Sequence, residues 1–247
     1  MKTLLSYPLS VLHYLIFGFL ILIFQPIQWF CHRVFGYTPH KNSVDILNYL
    51  LQWSLYVLGT KIEFESEAPL PKDVPLIIVS NHQSSYEIIA ITWYFRKYHP
   101  KFVSKIELGS GIPSVSYNLK HGGSVLIDRK DSKQALTALA GFGKNIQKNN
   151  WAAVIFPEGT RSRNGQPKSF SVNGLKMLAK YAPDAHVVPL TINNSWKLVA
   201  KGVFPLGVGV PMKFKVHKAI PVNSLSFNEL FEKAEKTIKN SVYLPHN

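Results

Sequence analysis

At 247 residues, 46% of them hydrophobic, the chain has enough material for one domain with a sizeable core and an appendage. A single cysteine excludes an intrachain disulfide and a cysteine-based metal cluster. The net charge of +14 is concentrated between residues 96 and 218, which hold 20 Lys and Arg against 5 Asp and Glu. Because these charges are interleaved with apolar runs, they imply a folded basic face suited to an anionic partner rather than a disordered tail.

In chain order, the first element is apolar. Thr3 to His32 contains no Asp, Glu, Lys or Arg, and Leu9 to Phe24 is apolar almost throughout. A run of this kind can cross a bilayer, which takes about 20 residues, and Pro26 is expected to interrupt the helix. No small-x-small cleavage site follows, which weighs against a signal peptide. Ile46 to Thr60 is uncharged too, but at about 1.5 Å per residue it spans only ~22 Å. Asp45, Asn48 and Gln52 form a polar stripe along it. It reads as an amphipathic helix on the membrane or against the first helix, with a core helix of the following domain as the alternative. Trp29, Phe30, Phe35 and Tyr37 sit where interfacial aromatics are expected. Residues 1–60 are therefore read as two membrane-anchoring helices that need not span, and 61–247 as a separate domain.

Beyond Lys61, short apolar runs alternate with helical stretches. Strands are expected at Ile62–Phe64 (an edge), Leu76–Val79, Lys101–Ser104, Ser124–Ile127, Ala153–Phe156, Val187–Ile192 and Lys213–His217. Helices are expected at Ser85–Arg96, from Ser132 onward with Asp131 and Gln134 as a capping box, at Val172–Tyr181 and at Phe227–Lys239. This alternation predicts an α/β fold with a largely parallel central sheet flanked by helices. Sites in such sheets gather beyond the carboxyl ends of the strands.

Two stretches occupy that position. Asn81-His82-Gln83-Ser84-Ser85-Tyr86-Glu87 follows one apolar strand and sets an imidazole five residues before a carboxylate. A neutral imidazole can take a proton from an alcohol, and a carboxylate on its other nitrogen fixes the tautomer. Taken alone, a single histidine is more often structural, and Glu87 could be a first-turn acid favoured by the helix dipole. Ser84 and Ser85 read as helix caps rather than nucleophiles, since no Gly-x-Ser-x-Gly elbow is present. The second stretch, Phe156-Pro157-Glu158-Gly159-Thr160-Arg161-Ser162-Arg163, offers a guanidinium fork and a glycine that lets the backbone approach a phosphate monoester. A base after one strand and an arginine loop after another suggest a site that deprotonates a hydroxyl while gripping an anion.

These residues resemble, in order, the blocks of the 1-acyl-glycerol-3-phosphate acyltransferases within the glycerolipid acyltransferase superfamily. His82 to Glu87 matches the His-x4-Asp block, with Glu in place of Asp. Lys105-x-x-Leu108 leading to Pro113, and Gly123-x-x-x-Ile127-Asp128-Arg129, match the second block. Phe156 to Arg161 matches the third in full, and Val188-Pro189-Leu190 the fourth. Ser116 and Ser171 stand where the family often has Gly and Lys.

The resemblance implies that His82 is the general base on the sn-2 hydroxyl of 1-acyl-glycerol-3-phosphate, oriented by Glu87. That hydroxyl attacks the thioester of acyl-ACP or acyl-CoA without an acyl-enzyme. Arg161 with Glu158, Gly159 and Thr160 would hold the phosphate, and Lys105 and Arg129 would add positive charge. No cofactor and no metal are expected, and the absence of a recognition module together with the apolar N-terminal segment weighs against a nucleic-acid partner. The chain is then expected at a membrane surface, on the cytoplasmic face of a bacterial inner membrane. Two other readings compete: O-acylation of another lysolipid, such as a lyso-ornithine or lyso-glycine lipid, and a non-catalytic basic membrane-binding protein.

Overall fold

A computed structural model of the chain describes residues 2–243. Eight strands form one sheet: β1 (Lys61–Ser66), β2 (Leu76–Ser80), β3 (Pro100–Lys105), β4 (Val125–Ile127), β5 (Ala152–Ile155), β6 (His186–Asn193), β7 (Pro211–Val216) and β8 (Ile220–Pro221). Their order is β1-β7-β6-β2-β5-β3-β4, and β8 also pairs with β6. The run from β6 through β2, β5 and β3 to β4 is parallel, and β7 and β8 are antiparallel to β6. β2 lies between β5 and β6 and every one of its residues is buried, which is why it reads as a continuous apolar run. β1 has one neighbour and alternates in exposure, as expected of an edge.

Successive residues of the central strands point to opposite faces and build two cores. Leu76 and Ile78 face one, with Ile89, Ile91 and Phe95 of α3 (Glu87–Tyr94) and its end. Ile77 and Val79 face the other, with Phe142 and Ile146 of α5 (Ser132–Asn149), Leu175 and Leu178 of α6 (Val172–Tyr181), and Leu230 and Ile238 of α7 (Phe227–Asn240). The α/β expectation, with a largely parallel sheet flanked by helices, is the architecture found. A short helix α4 (Val115–His121) and β8 went unforeseen, both too short to carry a period. In α5 the Asp131 carboxylate accepts the Gln134 N–H at 2.9 Å. The reciprocal half of the expected box is absent, because the Gln134 side chain accepts from Asp128 N–H instead, at 2.8 Å.

The N-terminal helices differ from expectation in three ways. α1 (Lys2–Phe30) runs through Pro26 and ends in a π-helical turn, Cys31–Phe35. Its turns around Pro26 are held from the side by Ser114, whose N–H donates to Gln25 Oε1 at 2.5 Å and whose hydroxyl donates to the Ile21 carbonyl at 2.6 Å. Helix α2 (Tyr37–Tyr56) is joined to the domain, not separate from it: Leu47, Leu51 and Leu55 belong to the same core as Leu76 and Ile78. Tyr37 is not interfacial, since its ring stacks on Trp151 at 5.0 Å and its hydroxyl meets His99 Nδ1 at 2.7 Å.

α1 is apolar on both sides: Phe24 is buried in the core and Leu9, Phe17, Leu20 and Ile21 pack against it. The same protein-facing side also buries Ser6, Ser10, His13 and Gln28, while Leu5, Leu12, Leu15, Phe19, Leu22 and Ile23 point outward. A helix in water buries its apolar stripe. The outward side chains of α1 leave an apolar face without a protein partner among the described residues.

Candidate active site

The carboxyl ends of β2, β5, β3 and β4 are neighbours in the sheet, and they deliver His82, the 156–163 loop, Lys105 and Arg129 to one edge in that order. The loop after β2 is fixed first. The Asn81 side chain continues the pairing with β6 past the end of the strand: its amide donates to the Ile192 carbonyl at 2.8 Å and its carbonyl accepts Ile192 N–H at 2.7 Å. His82 N–H then donates to Glu158 Oε1 at 2.7 Å, and the His82 carbonyl accepts from Ser162 N–H at 2.7 Å. Both backbone groups of His82 are thus held by the loop after β5. Its ring stacks on Phe156 with centroids 4.2 Å apart.

Glu87 opens α3 and folds back. One carboxylate oxygen accepts the N–H groups of Gln83 and Ser84, at 2.8 and 2.6 Å. The other lies 2.8 Å from His82 Nδ1. Its side chain is fully buried, whereas that of His82 is 18% exposed. A carboxylate accepts only, so Nδ1 carries the proton toward Glu87 and Nε2 is left as the basic nitrogen. The extra methylene of Glu relative to Asp is taken up by the two backbone bonds without loss of the contact to the ring.

Neither serine caps α3. Ser84 is buried and its hydroxyl meets Ser195 Oγ and accepts Tyr86 N–H. Ser85 accepts from the Arg161 guanidinium at 2.8 Å, so it aims that arginine. With these hydroxyls engaged, the imidazole is the group placed for acid–base work.

The loop after β5 divides its labour. Arg161 and Thr160 are exposed at the edge, and Gly159 has φ +67° with open space where a Cβ would be. The Gly159 carbonyl is bound by the Arg129 guanidinium, which joins the β4 end to the loop. Lys105 is exposed at the end of β3, opposite Ile127. Glu158 is different. Its second oxygen accepts Lys168 N–H at 2.9 Å, so both oxygens are spent on backbone. Burial pushes its pKa above the usual carboxylate range, against the pull of those two bonds. A buried anion with both oxygens occupied frames His82 and offers nothing to a phosphate.

Sequence reasoning missed Asn81, Gln83, Ser162 and Ser195 as parts of this frame. Gln83 spans two loops, donating to the Gly165 carbonyl at 3.3 Å and accepting Trp196 N–H at 3.4 Å. Polar residues at a strand end are the only local signal for such roles. Ser116, in place of the family's Gly, staples its own loop by donating to the Leu108 carbonyl and accepting Ile112 N–H. Among the described residues no group of three or more His, Cys, Asp or Glu is arranged to hold a metal.

An acyltransferase family model matches residues 61–193, the region from β1 through β6. A 1-acyl-sn-glycerol-3-phosphate acyltransferase of Helicobacter pylori (strain J99) is 35% identical over 168 residues, 67% of each chain. The human 1-acyl-sn-glycerol-3-phosphate acyltransferase beta is 27% identical over 187 residues, 75% of this chain and 65% of that one. A Chlamydomonas reinhardtii relative of the same description is 28% identical over 172 residues, and the match spans half of its length. The crystal structure of the 1-acyl-sn-glycerophosphate acyltransferase from Thermotoga maritima shares the fold, with a TM-score of 0.80 over 97% of this chain and 95% of that one, at 23% identity. On the family model and the Helicobacter match together, the chain belongs to the acyltransferase family, among the 1-acyl-sn-glycerol-3-phosphate acyltransferases.

Proposed function

We propose that this protein transfers a fatty acyl group from the thioester of acyl-ACP or acyl-CoA to the sn-2 hydroxyl of 1-acyl-glycerol-3-phosphate, giving phosphatidic acid, by direct general-base catalysis. The observation that carries the mechanism is the buried Glu87 carboxylate on His82 Nδ1. It sets Nε2 as the base and steadies the imidazolium once the proton arrives. As the hydroxyl oxygen attacks the thioester carbon, its proton passes to Nε2. When the tetrahedral intermediate collapses, the C–S bond breaks and the proton goes to the departing sulfur. No acyl-enzyme forms, consistent with the buried Ser84 and the arginine-bound Ser85.

Arg161, with Thr160 and the open Gly159 backbone, takes the acceptor phosphate, and Lys105 and Arg129 supply further positive charge along the same edge. Glu158 and Ser162 act through the His82 backbone.

The exposed apolar face of α1 supports work at a membrane surface, where lysolipid and product reside. α1 would be about 43 Å long, against ~30 Å of hydrocarbon. It touches the domain from end to end, at Phe204 through Tyr7, at Ser54 through His13, at Tyr86 through Phe17 and at Ser114 through Gln25. A helix tied down in this way lies along one leaflet. The side facing the soluble thioester is the cytoplasmic face of a bacterial inner membrane.

The test pairs wild type and Arg161→Ala with 1-acyl-glycerol-3-phosphate and with a phosphate-free lysolipid, each supplied with acyl-ACP or acyl-CoA. We expect phosphatidic acid from wild type, and in the variant a KM for the phosphate acceptor raised at least about tenfold, the scale of a lost charge-assisted pair. Equal activity of the variant on both acceptors, with the phosphate-free lysolipid preferred by wild type, would move the assignment to another lysolipid.

A further inference from the structure

We infer that the loop from Ala200 to Gly209 is a second membrane-docking element, which inserts Val203 and Phe204 beside α1 and takes the phosphate of an anionic bilayer lipid between Lys197 and Lys201. The inference rests on the reading of α1 as lying in the leaflet.

Val203 is 78% exposed and Phe204 46% exposed, a degree of apolar exposure otherwise concentrated in the N-terminal helices. Isolated exposed hydrophobics are ordinary; a contiguous apolar patch is not. This pair is contiguous with the outward face of α1. The Phe204 ring meets the half-exposed Tyr7 ring edge-on at 5.7 Å. The Tyr14 hydroxyl donates to the Val203 carbonyl, and Leu206 N–H donates to the buried Ser10 hydroxyl at 2.9 Å. The loop is therefore fixed to the same helix whose outward face is apolar and exposed. Its backbone turns through Gly202 and Gly209, at φ +95° and +69°.

Beside the exposed apolar pair the chemistry changes. A pocket of about 150 Å³ opens between Ser6, Lys197, Ala200, Lys201, Leu206, Gly207 and Val208. Both lysines are exposed, and Lys197 Nζ lies 5.8 Å from the Trp196 ring centroid. Exposed apolar side chains in a loop flanked by an indole and two ammonium groups combine the chemistries that acyl chains and headgroups take up. Each lysine near an anionic surface strengthens binding by roughly fivefold, on the order of 1 kcal/mol. The same segment starts at Ser195, whose hydroxyl meets Ser84 beside the catalytic histidine. Docking this loop therefore fixes the height of the active-site edge above the bilayer.

The experiment uses the full chain with Cys31→Ser and one introduced cysteine, Val203→Cys, Leu15→Cys on the outward face of α1, or Lys233→Cys on α7. Each is labelled with an environment-sensitive fluorophore and mixed with phosphatidylcholine–phosphatidylglycerol vesicles carrying a nitroxide lipid. We expect blue-shifted, quenched emission at positions 203 and 15 and no change at 233. A label at 203 that stays in water while the one at 15 enters lipid overturns the loop proposal and leaves α1 in place. Labels at 203 and 15 that both stay in water overturn the membrane reading itself. A second variant, Lys197→Gln with Lys201→Gln, tests the headgroup pocket. Its affinity for phosphatidylglycerol-containing vesicles is expected to fall at least about fivefold relative to its affinity for pure phosphatidylcholine. Equal affinities, relative to wild type, on both vesicles would overturn the headgroup pocket.

Discussion

Among the described residues, two histidine–glutamate pairs of nearly equal length differ in which partner is buried and in what the second ring nitrogen meets. His82 Nδ1 lies 2.8 Å from Glu87, and His217 Nδ1 lies 2.9 Å from Glu67. In the first pair the carboxylate is fully buried and the imidazole is partly exposed. In the second the imidazole is 3% exposed and the carboxylate faces solvent. The remaining nitrogen decides the matter. His217 Nε2 is taken by the Thr191 hydroxyl at 2.8 Å, which itself reaches the Ile238 carbonyl on α7. His82 Nε2 is left toward the site edge. The Thr191–His217–Glu67 line looks like a nucleophile with its base and orienting acid, yet Thr191 is fully buried and the line stitches β6, β7 and α7 together. A histidine–carboxylate pair can act as a base only where its second ring nitrogen is open to a substrate, whatever the pairing.

Three measurements break or sharpen this contrast. The largest effect is expected for His82→Ala, with kcat/KM down by about 10⁴-fold, the upper end of general-base contributions, and vesicle binding unchanged. Activity near wild type would remove His82 from the mechanism. Next is Glu87→Gln. Its carbonyl can keep the Gln83 and Ser84 N–H bonds, but its NH₂ group then faces Nδ1 and drives the proton to Nε2. We expect kcat reduced about 10²-fold, with KM little changed and the shape of the pH–rate profile altered. An unchanged profile would return Glu87 to a first-turn acid of α3.

The smallest effect belongs to the second pair. Burial raises the Glu67 pKa, but bonds from His217, Lys215 and Lys218 N–H outweigh it and hold it below the usual carboxylate range. A depressed carboxylate contributes stability above its unfolded pKa and loses it as pH falls through the folded value. Glu67→Gln should therefore melt lower than wild type near neutral pH, with the gap closing in acid, while kcat stays the same. A gap that persists at low pH, or a drop in turnover, would show that the pair does something other than hold strands.

The site was legible in the sequence to the extent that it is local. His82 and Glu87 are five residues apart on one loop, and the turn into α3 brings them together without help from distant chain. The bonds of Glu158 could not be read locally, because they depend on partners 76 residues before it and 10 residues after it. An acidic residue inside an arginine-bearing loop reads as part of an anion site until the His82 and Lys168 N–H groups are seen to occupy both oxygens. Asn81 is similar, since an asparagine after a strand reads as a turn until β6 arrives beside it. Ser85 needed Arg161 from another loop to show its use.

By itself, the sequence determined the features that short periods encode: the alternating strands and helices, the parallel sheet, the ends at which the motifs fall, and the greasy N-terminus. Hydrophobic periodicity carries those because each element buries its own face. Tertiary structure alone decided which way α1 faces, that Pro26 does not end it, that α2 completes the core beneath β2, and that Tyr37 stacks on Trp151 instead of facing lipid. Each of these depends on which surface arrives from far along the chain. An apolar helix looks the same in sequence whichever side meets protein; only the fold shows that Ser6, Ser10, His13 and Gln28 are buried while Leu5, Leu12, Leu15, Phe19, Leu22 and Ile23 stay exposed.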